Sequence, residues 1–399
     1  MKLTYKHTKY AAYIGYITQA IVNNLPALLF VTFNTDYGIS LEKIGLLVTL
    51  NFGVQILVDL MAVKYIDRIG YRAGVVAAHV FAVLGLCCFG MLPEIMADKY
   101  AAIVIAMVLN AIGGGLTEVL ISPIVESLPG DEKASAMSIL HSFYCWSHMA
   151  VVILSTAFFA FIGIENWRVL PFIWAAVPLL NIFFFSKVPL RVLVEESQRV
   201  PVSRLCKSGI FWMLMLLMVA AGASEQAMSQ WSSLFAEAGL SVSKTMGDLL
   251  GPCMFAALMG TARLVYGVLG SRLNIRMSLM YTSLLCIASY LITVLAPWPI
   301  VSLIGCGLCG FSVGLMWPGV FSLSSQTYPA GGTAMFALLA LAGDLGCGGG
   351  PGLVGLVSGR LEDGLGVMNA LKSGVGVAIV FPVLMVTGLV MLKRAVKQK

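Results

Sequence analysis

Residues 341–359 read LAGDLGCGGGPGLVGLVSG, eight glycines in nineteen residues with a single acid, Asp344. Two structures accommodate such a density of glycine. One is a loop whose backbone amides cradle a phosphate, and it needs a strand before the glycines and a helix start after them. The other is a membrane helix with a smooth face pressed against a neighbour. Apolar helical sequence flanks the glycines on both sides, so the helix is the better reading. Glycine costs a helix about 1 kcal/mol against alanine. Close interhelical packing offsets that cost, and Pro351 permits a kink. No nucleotide site is predicted, and Asp344 is the residue that packing leaves unexplained.

The rest of the chain agrees. Of its 399 residues, 59% are hydrophobic and only 11% charged, with a mean hydropathy of +0.91. Soluble domains carry about 25% charged residues, so a water-exposed surface cannot be built from this composition. About 20 apolar residues cross the roughly 30 Å of a bilayer's hydrocarbon core as a helix. Twelve such runs are predicted, near 10–33, 43–63, 73–92, 100–123, 136–162, 167–187, 209–236, 246–270, 276–296, 299–324, 334–358 and 372–392. The longest connector, Lys187–Lys207, lies mid-chain and divides the runs six and six. The expected organisation is a bundle over 1–188, a cytoplasmic linker over 189–207 and a second bundle over 208–399. The first run is too long for a signal-peptide core and is taken as the first span.

Basic residues set the orientation. With the N-terminus inside, eighteen Lys and Arg fall in inner segments and six in outer loops, with Arg263 inside run 8. Both termini are therefore expected in the cytoplasm, as in a multi-pass protein of a bacterial inner membrane. The net charge of +6 then reports topology rather than nucleic-acid binding. Cys306 and Cys309 form a C-x-x-C inside run 10. Small residues allowing close helix packing explain it better than a redox pair.

An internal repeat follows. VKYIDRIGYR (Val63–Arg72) and GVLGSRLNIR (Gly267–Arg276) register at an offset of 204 residues, superposing Arg68 on Arg272 and Arg72 on Arg276. SAMSIL (Ser135–Leu140) and TAMFAL (Thr333–Leu338) register at 198. Duplicated halves are common in transporters. The Asp-Arg-x-Gly-x-Arg of Asp67–Arg72 resembles the loop signature of the major facilitator superfamily, although Val63 stands where that signature has glycine. The resemblance implies an all-α fold of twelve transmembrane helices in two pseudo-symmetric six-helix bundles. It further implies a central cavity lined by spans 1, 4, 7 and 10, and alternating access. Within the superfamily, Asn23-Asn24-Leu25, Gly115-Leu116-x-Glu118 with Pro123, and His141-Ser142-Phe143 resemble motifs of the fucose permease-like sugar:proton symporters. Ala27 departs from that group, standing where its helix 1 acid would be.

An ionisable group at mid-membrane costs about 2.5–3.5 kcal/mol on insertion scales, so it usually faces water, a partner or a substrate. Glu118, Glu225 and Asp344 lie well inside runs 4, 7 and 11 and are candidate proton carriers, with a packing role as the alternative. His141, Tyr144 and His148 share one face of run 5, and His141 is placed to pass a proton to Glu118. A metal site from His141, His148 and Glu118 has no ligand-spacing signature and is not expected, nor is any cofactor. In run 7, Glu225, Ser229 and Ser232 form one polar stripe and Gln226 and Gln230 another. Gln19, Asn23 and Asn24 do the same in run 1. Such amides, with Tyr144, His148 and the rings of Trp146, Trp231 and Trp317, suit a hydroxylated solute. Asp67, Arg68, Arg72, Glu126, Arg272 and Arg276 cluster near inner helix ends as candidate gating groups, with Glu126 expected to pair with Arg68 or Arg72.

Counting residues places Arg263 near the inner end of run 8, so no cation is expected at the depth of the three acids. That disfavours an organic-anion substrate and favours a neutral solute, with a cation next. The expected function is movement of a small, neutral, sugar-like solute across the membrane by alternating access, in symport with protons or with sodium, through a monomer in the bilayer. Proton-coupled efflux of drugs or organic cations is the main rival. Against it, run 5 lacks the antiporter Gly-Pro signature, and Asn110 replaces the arginine such exporters carry in helix 4. A non-transporting receptor is a second rival, for which the connector and tail are too small. No nucleophile–base pair points to an enzyme.

Overall fold

The computed structural model describes residues 3–126, 128–129, 133–190, 205–269, 274–327 and 332–397, and every regular element among them is helical. The principal helices are α1 (Tyr5–Asn24), α2 (Leu41–Ile69), α3 (Tyr71–Ile95), α4 (Lys99–Glu126), α5 (Lys133–Ile162), α6 (Leu170–Lys187), α7 (Gly209–Leu234), α8 (Met254–Leu269), α9 (Ile275–Leu295), α10 (Pro299–Val313), α11 (Gly332–Val377) and α12 (Val380–Lys397). Two of these starts show side-chain capping. Ser208 accepts from the Phe211 N–H ahead of α7, and Asn274 from the Met277 N–H ahead of α9.

Among the described residues, eleven segments are long and apolar enough to cross a membrane. The last covers Leu338–Ala395, 58 residues. At about 1.5 Å per residue it is far longer than a bilayer core is thick, and the backbone leaves helical geometry within it at Gly366, φ 72°. Large apolar side chains stand exposed along the helices, Leu57, Leu180 and Tyr281 among them, as expected where lipid is the solvent. Burial is unequal. The apolar windows containing α1, α7, α10 and α4 are 83%, 72%, 67% and 56% buried, and none of the others exceeds 44%. The least exposed helices therefore recur every third span.

The chain divides into two compact units, Met1–Ile39 with Leu50–Val194, and Ser40–Thr49 with Glu195–Lys399. In the first unit, Gly113 of α4 brings the chain against α3. A Cβ there would lie 2.7 Å from the Ala82 nitrogen and 2.8 Å from the Ala78 carbonyl oxygen. The buried ring of His79 ties three helices together. Its Nδ1 lies 2.7 Å from the Val75 carbonyl and its Nε2 2.8 Å from Asn181 Nδ2, which also donates to the Ala11 carbonyl at 3.0 Å. A carbonyl only accepts and an amide nitrogen only donates, so the neutral Nδ1–H tautomer fits both contacts.

The second unit contains the glycine-rich stretch, which lies entirely within α11 and packs on α7. A Cβ at Gly346 would meet the Ala223 nitrogen at 2.8 Å, and one at Gly350 the Ala223 carbonyl oxygen at 2.6 Å. Trp231 of α7 donates its indole N–H to the Pro351 carbonyl at 3.1 Å. On another side of α11, Thr49 donates to the Gly348 carbonyl at 2.9 Å, and a Cβ at Gly355 would lie 2.7 Å from the Gly45 Cα. These contacts group residues 40–49 with the second unit. The C-x-x-C is likewise a packing feature: Cys309 Sγ lies 3.9 Å from Cys286 Sγ, and Thr293 donates to Cys306 Sγ.

Candidate substrate and coupling site

Each unit carries its own polar interior. In the first, α1, α2 and α4 bring amides and a carboxylate together. Gln19 Nε2 donates to Glu118 Oε2 at 2.7 Å. One turn along α1, Asn23 Oδ1 accepts from Gln55 Nε2 at 3.0 Å and from Asn51 Nδ2 at 3.5 Å. Gly114 and Gly115 of α4 make the room, since a Cβ at Gly115 would lie 3.1 Å from the Gln55 Cα. Three amide oxygens of this cluster, Gln19 Oε1, Asn51 Oδ1 and Gln55 Oε1, are buried without a hydrogen-bond partner among the described residues.

An aromatic face from α5 adjoins it. Asn24 Nδ2 donates to the Tyr144 hydroxyl at 3.3 Å as well as to the Ala20 carbonyl. Tyr16 sits edge-on to both His141 and Tyr144, and its hydroxyl lies 3.0 Å from Ser122 Oγ, one helical turn beyond Glu118. His148 is buried beside Tyr144, whereas His141 is exposed. Trp146 is half-buried.

In the second unit the polar residues of α7 form a chain. Gln230 Nε2 donates to Gln226 Oε1 at 3.1 Å, and Gln226 Nε2 donates to Glu225 Oε1 at 3.4 Å. The chain ends on Arg263 of α8, whose Nη2 lies 3.5 Å from Glu225 Oε2 and whose Nε donates to the Gly314 carbonyl at 3.3 Å. This corrects the expectation that the deep acids have no cation at their level. Long helical side chains point back toward the N-terminus, and Arg263 does so, with Nη2 3.8 Å from Met259 Sδ one turn earlier. Counting residues to the helix end missed that reach. The exclusion of anionic substrates on the ground of depth falls with it.

Other candidates sort by contact. Trp231 is fully buried, with its indole N–H on Pro351, so in this conformation it belongs to the α7–α11 packing rather than to a solute-facing wall. Trp317 lies against Gly343 of α11, and Asp344 beside it is buried. Arg72 does not need an acid partner: its two terminal nitrogens donate to the Phe185 and Val188 carbonyls at 2.7 and 2.8 Å, closing the end of α6. Arg276 lines a groove between α9 and α12. The side chains of Asp67, Arg68 and Glu126, and all of Arg272, lie outside the described residues.

Asn51 and Gln55 were not among the sequence candidates, although their i, i+4 spacing in an apolar run is the signal that identified α7. A partly buried charged cluster at the other end of α7 was also missed. Asp248 accepts from Ser233 and pairs with Lys244 at 3.2 Å, and Lys244 reaches Glu237 at 3.7 Å.

Comparison with known proteins agrees with this architecture. No curated protein matches the chain at the sequence level. The chain resembles a bacterial homolog of the human lysosomal transporter Spinster, solved in an inward-facing and occupied conformation, with TM-score 0.78 and 15% identity over 99% of this chain and 98% of the other. It resembles a D-xylose-proton symporter with TM-score 0.74 and 14% identity over 94% and 96%. It also resembles the E. coli fucose:proton symporter, with TM-score 0.66 and 17% identity over 96% and 98%. At these identities the likeness is one of fold. The family model of the Major Facilitator Superfamily matches residues 12–351. The chain belongs to the major facilitator superfamily and is therefore an integral membrane transporter rather than an enzyme.

Proposed function

We propose that the chain moves a small neutral polar solute, of the sugar class, across the membrane by alternating access coupled to protons. In this reading it has twelve spans in two pseudo-symmetric bundles, because the 58-residue segment broken at Gly366 crosses twice. Both termini lie in the cytoplasm of a bacterial cell, and the working unit is a monomer. The sugar:proton symporters that share the fold support the substrate class.

The observation that carries the reading is the amide cluster around Glu118. A buried polar atom left without a partner costs about 1–3 kcal/mol, and Gln19, Asn51 and Gln55 each present one such oxygen. A polyhydroxylated solute supplies hydroxyl donors for these oxygens and acceptors for the amide nitrogens, which Asn23, Asn24 and Tyr144 extend. Gln226, Gln230, Trp146, His148 and Trp317 are candidates for the remaining contacts. The guanidinium of Arg263 is matched by Glu225 and a carbonyl, so it does not turn the site toward anions.

Glu118 is the proposed proton carrier. Ionised, it accepts from Gln19 Nε2. Protonated, its hydroxyl becomes a donor, and Gln19 turns its amide to offer the unpartnered Oε1. One glutamine thus serves both protonation states, and His141 lies on the path by which a proton arrives. Glu225 and Asp344 are secondary candidates, and sodium is the alternative ion.

Proteoliposomes loaded against sugars, polyols and organic cations, with and without a pH gradient, test the reading. Sugar or polyol uptake accelerated by an inward proton gradient is expected, and Glu118→Gln should lose that acceleration while still exchanging solute. Unchanged coupling in Glu118→Gln removes Glu118 from the mechanism. Movement of organic cations alone supports efflux, and binding without movement supports a receptor.

A further inference from the structure

Away from the polar interior, the second unit has a groove of about 470 Å³ between the start of α9 and the end of α12. Three of its lining residues are cations, Arg276, Lys393 and Arg394. The rest are apolar or aromatic, Met280, Tyr281 and Leu389 among them, and none is an acid. Nothing in the transport reading uses this groove. Arg276 Nε is buried there with no hydrogen-bond acceptor among the described residues. Arg276 also occupies the first turn of α9, whose partial positive charge favours an anion.

We propose that this groove binds an anionic glycerophospholipid, with its phosphate held by Arg276, Lys393 and Arg394 and an acyl chain laid along Met280, Tyr281 and Leu389. The composition separates the possible occupants. A free phosphate needs the cations but gains nothing from an apolar floor. An acidic peptide needs the groove to open into water, yet Tyr281 and Met277 stand exposed at 63% and 54% on helices of membrane length. A phospholipid matches both halves: guanidinium and ammonium groups bind its phosphate, and the floor takes its hydrocarbon. Basic pockets between membrane helices on the cytoplasmic side bind anionic headgroups, and the distribution of Lys and Arg along the chain puts this end of α9 and α12 on that side.

Native mass spectrometry of the full-length protein released from detergent tests it, with phosphatidylglycerol, phosphatidylcholine and glycerol 3-phosphate as probes. Each cation near an anionic headgroup contributes such that losing two is expected to weaken binding roughly thirtyfold. Wild-type protein should retain phosphatidylglycerol and release phosphatidylcholine. Lys393→Gln with Arg394→Gln should lose the retained lipid, both positions being exposed and tolerant of change. Lys6→Gln with Lys9→Gln removes the same charge elsewhere and should change nothing. Equal loss in the two double variants, or none in Lys393→Gln/Arg394→Gln, overturns the site. Phosphatidylcholine held as firmly as phosphatidylglycerol overturns the role of charge. Displacement of the lipid by an equal concentration of glycerol 3-phosphate overturns the role of the floor.

Discussion

Glu118 and Glu225 each stand inside a membrane-length helix, one in each unit, but they have different company. Glu118 is met by the neutral amide of Gln19 at 2.7 Å, Glu225 by the guanidinium of Arg263 at 3.5 Å. A carboxylate beside an amide can gain or lose its proton with only the amide turning over. A carboxylate beside a guanidinium is tied to a partner whose geometry is fixed by its own second contact, here the Gly314 carbonyl. In the proposed reading the same residue type therefore serves two tasks, a changeable charge in the first unit and a fixed polar strut in the second. The strut also orders Gln226 and Gln230 along α7, since each amide donates to the next acceptor toward Glu225.

Removing one partner from each pair should separate the two cases by the largest margin. Breaking a buried ion pair costs about 3–5 kcal/mol because an uncompensated charge remains. Arg263→Met is expected to destabilise the protein by that order, read as thermal unfolding in detergent. Gln19→Leu leaves a partly accessible carboxylate and should cost about 1–3 kcal/mol. Combining Glu225→Gln with Arg263→Met should recover much of the single-variant loss, a coupling that independent sites do not show. Equal losses in Arg263→Met and Gln19→Leu would erase the distinction between the units.

How much of this was open to a reader of the sequence depended on whether the signal was local. Apolar length located the spans, and the glycines of residues 341–359 pointed to close packing because their flanks were helical. The amide stripes of α1 and α7 followed from helical spacing, and Asn51 and Gln55 would have followed from the same rule applied to α2. The partnerships did not follow. Glu225 meets Arg263 across 38 residues and His79 meets Asn181 across 102, and which residues face each other is decided by helix rotation and packing. Depth was also misread where a side chain departs from its Cα level, as the Arg263 guanidinium does.

Packing gives a second contrast of intermediate size, within one stretch and between units. Gly346 of α11 packs against α7 and Gly113 of α4 against α3, each so close to neighbouring backbone that an added Cβ must push the helices apart. Overpacking of this kind costs about 1–3 kcal/mol. Gly346→Ala and Gly113→Ala should both lower the unfolding temperature, showing that the two units rest on the same device. At Gly349 an added Cβ meets nothing within 4 Å. Gly349→Ala should therefore be neutral or stabilising by up to about 1 kcal/mol, the helix propensity difference. Loss of stability in Gly349→Ala would mean that the glycine stretch matters for more than close approach.

The smallest effect concerns the repeat itself. Arg72 and Arg276 occupy equivalent positions in the duplicated signature, yet Arg72 donates to the Phe185 and Val188 carbonyls while Arg276 lines the α9–α12 groove. The last carbonyls of a helix have no partner of their own, so Arg72 completes the end of α6 and holds it to the start of α3. Hydrogen bonds from a charged donor contribute about 1.5–3 kcal/mol when buried. Here the side chain is exposed, so Arg72→Gln should cost only about 1 kcal/mol. Arg276→Gln breaks no hydrogen bond at Nε, and it should leave the unfolding temperature in lipid-free detergent unchanged. Added phosphatidylglycerol should then raise the stability of Arg72→Gln as it does that of the wild type, but raise that of Arg276→Gln less. If Arg276→Gln proves the more destabilised of the two without lipid, the duplicated arginines share one structural role, and their divergence lies in the surroundings alone.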